Sequence, residues 1–444
     1  MNYENISAIS TAPLAAGVAI IRISGDSPLD IAEKMFVSKT PVKSFEPYKM
    51  YVGTIDCGSV KDYGMCVYFK APKSYTGEEM VEFHCHGGVA ISRAVLKRTI
   101  ELGARLAERG EFTRRAFLNG KMSLSSCEGL VDMIYAQSES EAKMGFYLYK
   151  EKLFNKIKGV QDKLKYVLAL IDANIDYPEE DIAFAESETI KNTLISCKNE
   201  LVPLVESFKN SSKASAGVNV AICGRPNAGK SSLLNAVIGM DKAIVTSIEG
   251  TTRDVVEGER DINGVRFNFY DTAGIRESDN EIEKIGISKS KEVISKADIV
   301  LLMIDGAVGV TDEDKRLIGE LGEKPHIIAV NKSDTDGFID GRGDIDISAI
   351  TGENLNGLYE LLFEKAGVDT INFEGDFLTE QRHFAAISAA IKYLDTALTS
   401  LRSLPLDVVA SDIKDAWVSL GKISGETCDE DVINEIFSKF CVGK

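Results

Sequence analysis

Three short runs of residues could do chemistry on a phosphorylated ligand. Gly224-Arg225-Pro226-Asn227-Ala228-Gly229-Lys230-Ser231 has the spacing GxxxxGK[ST] between the apolar run AGVNVAICG and a helix-like run. Such a loop aims backbone N–H groups at phosphate oxygens. Its lysine, Lys230, reaches the β- and γ-phosphates, and its hydroxyl, Ser231, can ligate Mg²⁺. Asn227, Ala228, Gly229 and Ser232 complete the cradle. Asp271-Thr272-Ala273-Gly274 follows the strand-like VRFNFY. A carboxylate there suits the Mg²⁺ sphere, and a glycine lets its N–H meet a γ-phosphate. Asn331-Lys332-Ser333-Asp334 follows HIIAV, and Ser348-Ala349 follows the next short strand. Asp334 can accept hydrogen bonds from guanine N1–H and its 2-amino group, whereas adenine offers the opposite pattern. Backbone N–H at Ser348-Ala349 could meet guanine O6. In this order the runs point to GTP.

Other residues bear on the same chemistry. Gly250-Thr251-Thr252-Arg253-Asp254 lies between the first two runs, where a switch segment belongs. Thr252 is the candidate second Mg²⁺ ligand. Arg253 is either a charge supplied in cis or a structural arginine. Ile275 follows Gly274, where Ras-like GTPases place a water-orienting glutamine, so another group must position the water. Cys441 stands near the end of the chain. In His84-Cys85-His86 a strand would turn Cys85 away from the two histidines, and no distant ligand pair accompanies them; a metal reading is disfavoured.

The elements that must position these residues fall into three patterns. Residues 1–118 alternate β-rich runs with turns; GVAIIRISG, MCVYFKAP and EEMVEFHCH read as strands and 89–106 as a helix, giving an α+β domain. Residues 119–212 have almost no Gly or Pro and carry apolar residues at helical spacing, with an interruption near Tyr177-Pro178 and a linker-like NSSKASAG at 210–217. From 217 to 371 a βαβ pattern places strands near 265–270, 299–304 and 326–330. Helices return over 375–444. The expected fold is multidomain: an α+β domain, then a helical domain split in sequence by an inserted α/β P-loop domain.

Composition limits the remaining classes. The 444 residues suit two to four domains at about 150 each. Net charge is −17, but unevenly spread: residues 1–118 hold 15 Lys+Arg against 13 Asp+Glu, and the other 326 hold 36 against 55. A general binder of phosphate backbones is disfavoured. Eight cysteines without CxxC spacing, and no basic n-region, read as reduced thiols of a cytoplasmic protein. No apolar run reaches the roughly 18 residues of a membrane span.

The three nucleotide motifs resemble those of the translation-factor class of GTPases. A closer resemblance covers the whole chain. GRPNAGKSSLLN, TSIEGTTRD, DTAGIRES with EIEKIGI, and above all the terminal Cys441-Val442-Gly443-Lys444 are similar to the MnmE (TrmE) family of tRNA-modifying GTPases. That resemblance implies potassium held by Asn227 and by main-chain groups of Thr246, Ile248 and Thr251, within a loop that includes Ser247, Glu249 and Gly250. The cation would stand in for a finger charge. It implies that Glu283 orients the water and that the Cys441 thiol takes part in the modification. It implies a folate-binding N-terminal domain, with Arg22, Glu82, Lys121 and Lys444 as contacts: the carboxylate for pterin N–H groups, the cations for the glutamate tail. It further implies GTP hydrolysis on G-domain association, a homodimer, and work on tRNA wobble uridine U34. The partner would be MnmG (GidA), which carries FAD, and the one-carbon source 5,10-methylenetetrahydrofolate or 5-formyltetrahydrofolate. A ribosome-assembly GTPase of the Era or EngA kind is the competing expectation, and a GTP switch without chemistry of its own is a third.

Overall fold

The computed structural model describes residues 4–176, 183–239, 258–271, 292–339, 343–368, 376–401 and 403–444. The chain divides into two compact units, one of Met1–Val131, Gly145–Leu194 and Lys392–Lys444, the other of Asp132–Met144 and Ile195–Ile391. The second unit therefore takes residues 132–144 out of the first helical stretch.

The first unit holds a seven-stranded sheet. Its strands are β1 (Ile6–Ile9), β2 (Ala16–Gly25), β3 (Phe36–Ser38), β4 (Met50–Asp56), β5 (Lys61–Phe69), β6 (Glu79–Gly87) and β7 (Arg105–Leu106). They run in the order β3-β4-β5-β6-β2-β1-β7. Alternation sends Ile21, Ile23, Val81, Phe83, Ile55 and Cys66 to a core with helix Pro28–Met35. The expected helix 89–106 ends at Glu101, and Leu102-Gly103-Ala104 turns the chain into β7; Gly103 supplies the positive φ of 111° there. The unit also contains helices Lys152–Asp176 and Leu406–Ser424, which pack together. Leu153, Ile157, Val160, Leu164, Val167 and Ile171 recur every three or four residues and are all buried, each contributing about 1.5–3 kcal/mol.

The second unit is built on a six-stranded sheet: β8 (Val218–Gly224), β9 (Gly258–Ile262), β10 (Val265–Asp271), β11 (Ile299–Asp305), β12 (His326–Asn331) and β13 (Ile345–Ile347). The order is β13-β12-β11-β8-β10-β9. All pairs are parallel except β9–β10. β11 is apolar along both faces, as a covered parallel strand requires, and every residue of it is buried. The parallel strands end together, which brings Gly224, Asp271 and Asn331 to the same end of the sheet.

Two local expectations need correction. Residues 210–217 are not a linker: helix Ala183–Ala216 continues to Ala216, and the chain turns only at Gly217, where φ is 83°. Serines at 211, 212 and 215 do not stop a helix of this length. β9, with the sequence GERDI, lacks an apolar run because it is an edge strand whose outer residues face water.

Candidate functional site: a nucleotide cradle and a cluster near the tail

The loop between β8 and helix Lys230–Ile238 has the backbone its sequence demands. Gly224, Asn227 and Gly229 hold φ of 139°, 67° and 97°. Gly224 packs against the Met303 carbonyl so closely that a Cβ would sit 2.3 Å from it. The Lys230 ammonium is buried and donates to the carbonyls of Gly224 (2.9 Å) and Arg225 (2.8 Å), over the mouth of the loop. Ser231 donates to Asp271 Oδ2 at 3.1 Å. The hydroxyl and the carboxylate are thus side by side at the start of a helix, where the dipole favours anions. Burial pushes the Cys223 thiol, at the end of β8, up to about 12, with the Lys230 charge acting against it. It is a packing group.

Two side chains lock this loop to its surroundings. Arg225 Nε lies 3.0 Å from both Oδ1 and Oδ2 of Asp314, which is wholly buried. Asp314 also forms a capping box with Thr311 at the start of helix Asp312–Leu321. Asn331 Nδ2 donates to the Ala228 carbonyl at 2.9 Å, and its Oδ1 accepts from the Ala349 N–H at 2.9 Å. One buried amide therefore ties the phosphate loop to the base loop. Lys332, at φ 72°, pairs with Asp305 at 2.6 Å. Ser348 is buried, and its hydroxyl accepts from the Thr351 N–H. Asp334 is exposed at the tip of the loop after β12.

A separate cluster forms on the first unit. Arg22 on β2 faces Glu82 on β6 in register, and Arg22 Nε lies 2.8 Å from Glu82 Oε1. The Arg22 guanidinium sits 5.0 Å from the Tyr75 ring centre and 5.6 Å from that of Phe112. Burial pushes the Glu82 carboxyl up, but the His84 imidazole at 3.4 Å and the Arg22 charge outweigh it and hold it below the usual range. The C-terminal tail closes this face. Ser10 Oγ donates to the Gly443 carbonyl at 3.0 Å, Val442 bridges Arg109, and the Gly110 N–H reaches the Cys441 carbonyl at 3.5 Å. Burial first, then the Arg22 charge, lowers the Lys444 ammonium, while Cys441 and Glu82 raise it. Lys444 is therefore within electrostatic reach of Arg22, Glu82 and Cys441. Cys441 is exposed.

Comparison with known proteins bears on the whole chain. Residues 5–121 match the model described as "GTP-binding protein TrmE N-terminus", and residues 124–441 match the model described as "MnmE helical domain". The chain belongs to the MnmE family. The tRNA modification GTPase MnmE of Acetivibrio thermocellus is 40% identical, covering 99% of each chain. That of Clostridioides difficile is 37% identical, also over 99% of each. That of Fervidobacterium nodosum is 39% identical over 100% of this chain and 98% of its own. Among solved structures, Aquifex aeolicus Era Y63A aligns at 28% identity over 40% of this chain and 67% of its own, with a TM-score of 0.29. The MnmE match spans the whole chain, and the chain is an MnmE-type tRNA modification GTPase.

For this MnmE-family chain the structure brings together Ala228, Gly229, Lys230, Ser231, Asp271, Asn331 and Ala349 around one edge. Asn227 and Ser232 are exposed beside them. Thr246, Ser247, Ile248, Glu249, Gly250, Thr251, Thr252, Arg253, Thr272, Ala273, Gly274, Ile275 and Glu283 lie outside the described residues. Lys121 donates to the Pro72 carbonyl at 2.8 Å, on the loop that leads to Tyr75. Sequence reasoning missed Arg225, Asp314 and Tyr75. The pattern Thr311-x-x-Asp314 before a helical run was the readable signal for one of them.

Proposed function

We propose that the chain is the GTP-hydrolysing component of a system that alters C5 of wobble uridine U34 in tRNA. It would act with MnmG, which carries FAD, to install an aminomethyl or carboxymethylaminomethyl group. The observation that carries this reading is the Arg22–Glu82 pair, with the tail anchored on Ser10, Arg109 and Gly110 of the same unit. A carboxylate held charged, three cations and the Tyr75 ring are the set of groups a folate needs: Glu82 would accept from pterin N–H groups, and Arg22, Lys121 and Lys444 would meet the glutamate carboxylates. The folate would supply the one-carbon unit. Cys441 would stand next to that carbon, as a thiol available to the modification chemistry.

Ser231 and Thr252 would hold Mg²⁺, with Asp271, which accepts from the Ser231 hydroxyl, positioning it. Asn227 with main-chain groups of Thr246, Ile248 and Thr251 would hold potassium, whose charge would offset that developing at the β–γ bridge. The exposed, left-handed Asn227 suits a ligand that reaches outward from the loop. Glu283 would position the water. The protein would work in the cytoplasm as a homodimer through its N-terminal domains, with G domains that meet and part.

The test is mass spectrometry of wobble nucleosides from cells lacking the gene, complemented with the natural sequence or with Cys441→Ser. The natural sequence should restore the modified uridine. Cys441→Ser should not, although the purified variant hydrolyses GTP at an unchanged rate. Modified U34 in the variant strain would remove Cys441 from the chemistry, and unchanged U34 in the deletion strain would refute the function.

A further inference from the structure

The MnmE-family assignment leaves one joint unexplained. Residues 137–141 dock on the far end of the β9–β10 hairpin, all within the second unit. Arg266, one residue into β10, is its centre. Its Nε lies 3.0 Å from Glu141 Oε1, its guanidinium donates to the Gln137 side-chain carbonyl, and its third nitrogen reaches the Ala216 carbonyl at 3.1 Å. The second Glu141 oxygen accepts from the Gln137 N–H at 2.7 Å. The Ser140 N–H donates to the Gly264 carbonyl at 2.9 Å, at the hairpin turn. Gly217, the left-handed hinge into β8, is packed so that a Cβ would lie 2.9 Å from Asn268 and 3.1 Å from Arg266.

The place of this hairpin in the chain matters. β10 ends on Asp271, the carboxylate that holds Ser231, and β8 ends on Gly224 at the phosphate loop. β9 begins six residues after Thr252. The hairpin thus runs from just after the candidate Mg²⁺ ligand Thr252 to Asp271, and it is the sheet's edge, with β9 paired on one side only. An edge hairpin can shift along β8 without disturbing the ladders that join β8, β11, β12 and β13, because only the β8–β10 ladder must re-form. A pull on Asp271 moves Arg266 with it, since both belong to one strand. The carboxylate of Glu141 is itself desolvated, which raises its pKa against the Arg266 charge; a pair in such a setting loses much when its geometry slips.

We propose that the β9–β10 hairpin carries the nucleotide state from Asp271 to residues 137–141, with Arg266 as the positioning residue that makes the joint. Arg266 does not touch the nucleotide. It sets where the helical segment beginning at Glu139 sits for each state of the G domain. The inference needs only that GTP binds the phosphate loop, and stands apart from any role for folate.

The experiment is hydrogen exchange of the full-length protein with GDP and with a non-hydrolysable GTP analogue. Protection of residues 225–231 on adding either nucleotide reports occupancy. Amides 137–142, the Ser140 N–H among them, should then differ between the two states by roughly fivefold or more, the low end of ordinary coupling. In Arg266→Ala and Glu141→Ala that difference should vanish while occupancy and the basal hydrolysis rate persist, and Arg266→Lys should retain part of it. Equal exchange at 137–142 in both states of the natural protein, with the phosphate loop occupied, would overturn the proposal without any variant. So would a state-dependent difference that survives in both alanine variants.

Discussion

At the residue scale, the nucleotide site is governed by a few polar atoms with fixed donor and acceptor roles. Asp334 offers only acceptors and lies exposed at the tip of its loop. Asp334→Asn replaces one acceptor by a donor, which matches xanthine and clashes with the 2-amino group of guanine. Affinity for GTP should fall about 100-fold and that for XTP rise, measured by fluorescent-nucleotide competition; unchanged GTP affinity would remove Asp334 from base recognition. Asn331 acts differently, since its amide is buried between Ala228 and Ala349. Asn331→Ala leaves a carbonyl and an N–H unpaired, at about 1–3 kcal/mol for each group. Weaker binding of GDP and GTP alike is expected, with a lowered melting temperature. A loss confined to hydrolysis would contradict this account. Both residues were legible as members of a motif. The bridging role of Asn331 was not, because its partners come from loops 103 and 18 positions away.

At the scale of elements, the sequence was most readable where a short run carries its own geometry. The strand–loop–helix of residues 218–238 and the fully apolar β11 announce themselves by composition. The edge strand β9 does not, since charged residues serve its solvent side. The tail is the clearest case of information absent from local sequence. Its contact from Ser10 to the Gly443 carbonyl spans 433 positions. That contact makes a sharp prediction. Gly443 has φ 98°, and a Cβ there would sit 2.3 Å from the Ile9 carbonyl. Gly443→Ala adds backbone strain of about 1–2 kcal/mol to a direct clash. The variant should release the tail, seen as faster alkylation of Cys441 by a bulky maleimide. It should abolish tRNA modification while leaving GTP hydrolysis intact. Unchanged Cys441 reactivity together with normal modification would show that the tail's seat on Ile9 is dispensable.

At the scale of the whole molecule, charge separates what this chain can hold from what it must share. The net charge is −17, and the deficit of basic groups falls entirely beyond residue 118, which includes the helical and GTPase parts. A protein that neutralises several phosphates releases their counterions, and its affinity falls steeply with salt, by about 0.7–0.9 in log–log slope for each phosphate. An anionic surface cannot supply many such contacts. The chain alone should therefore bind tRNA weakly, with a log–log salt slope shallower than about −3, whereas the complex with a basic partner should show a steeper one. Electrophoretic mobility or anisotropy titrations between 50 and 200 mM salt, a range where a protein with six to ten phosphate contacts loses about 10³–10⁵ in affinity, read this directly. A steep slope for the chain by itself would locate a concentrated basic surface on it and overturn the division of labour argued from charge. A shallow slope would leave the nucleotide site and the Arg22–Glu82 pair as its contribution, with the nucleic acid gripped elsewhere.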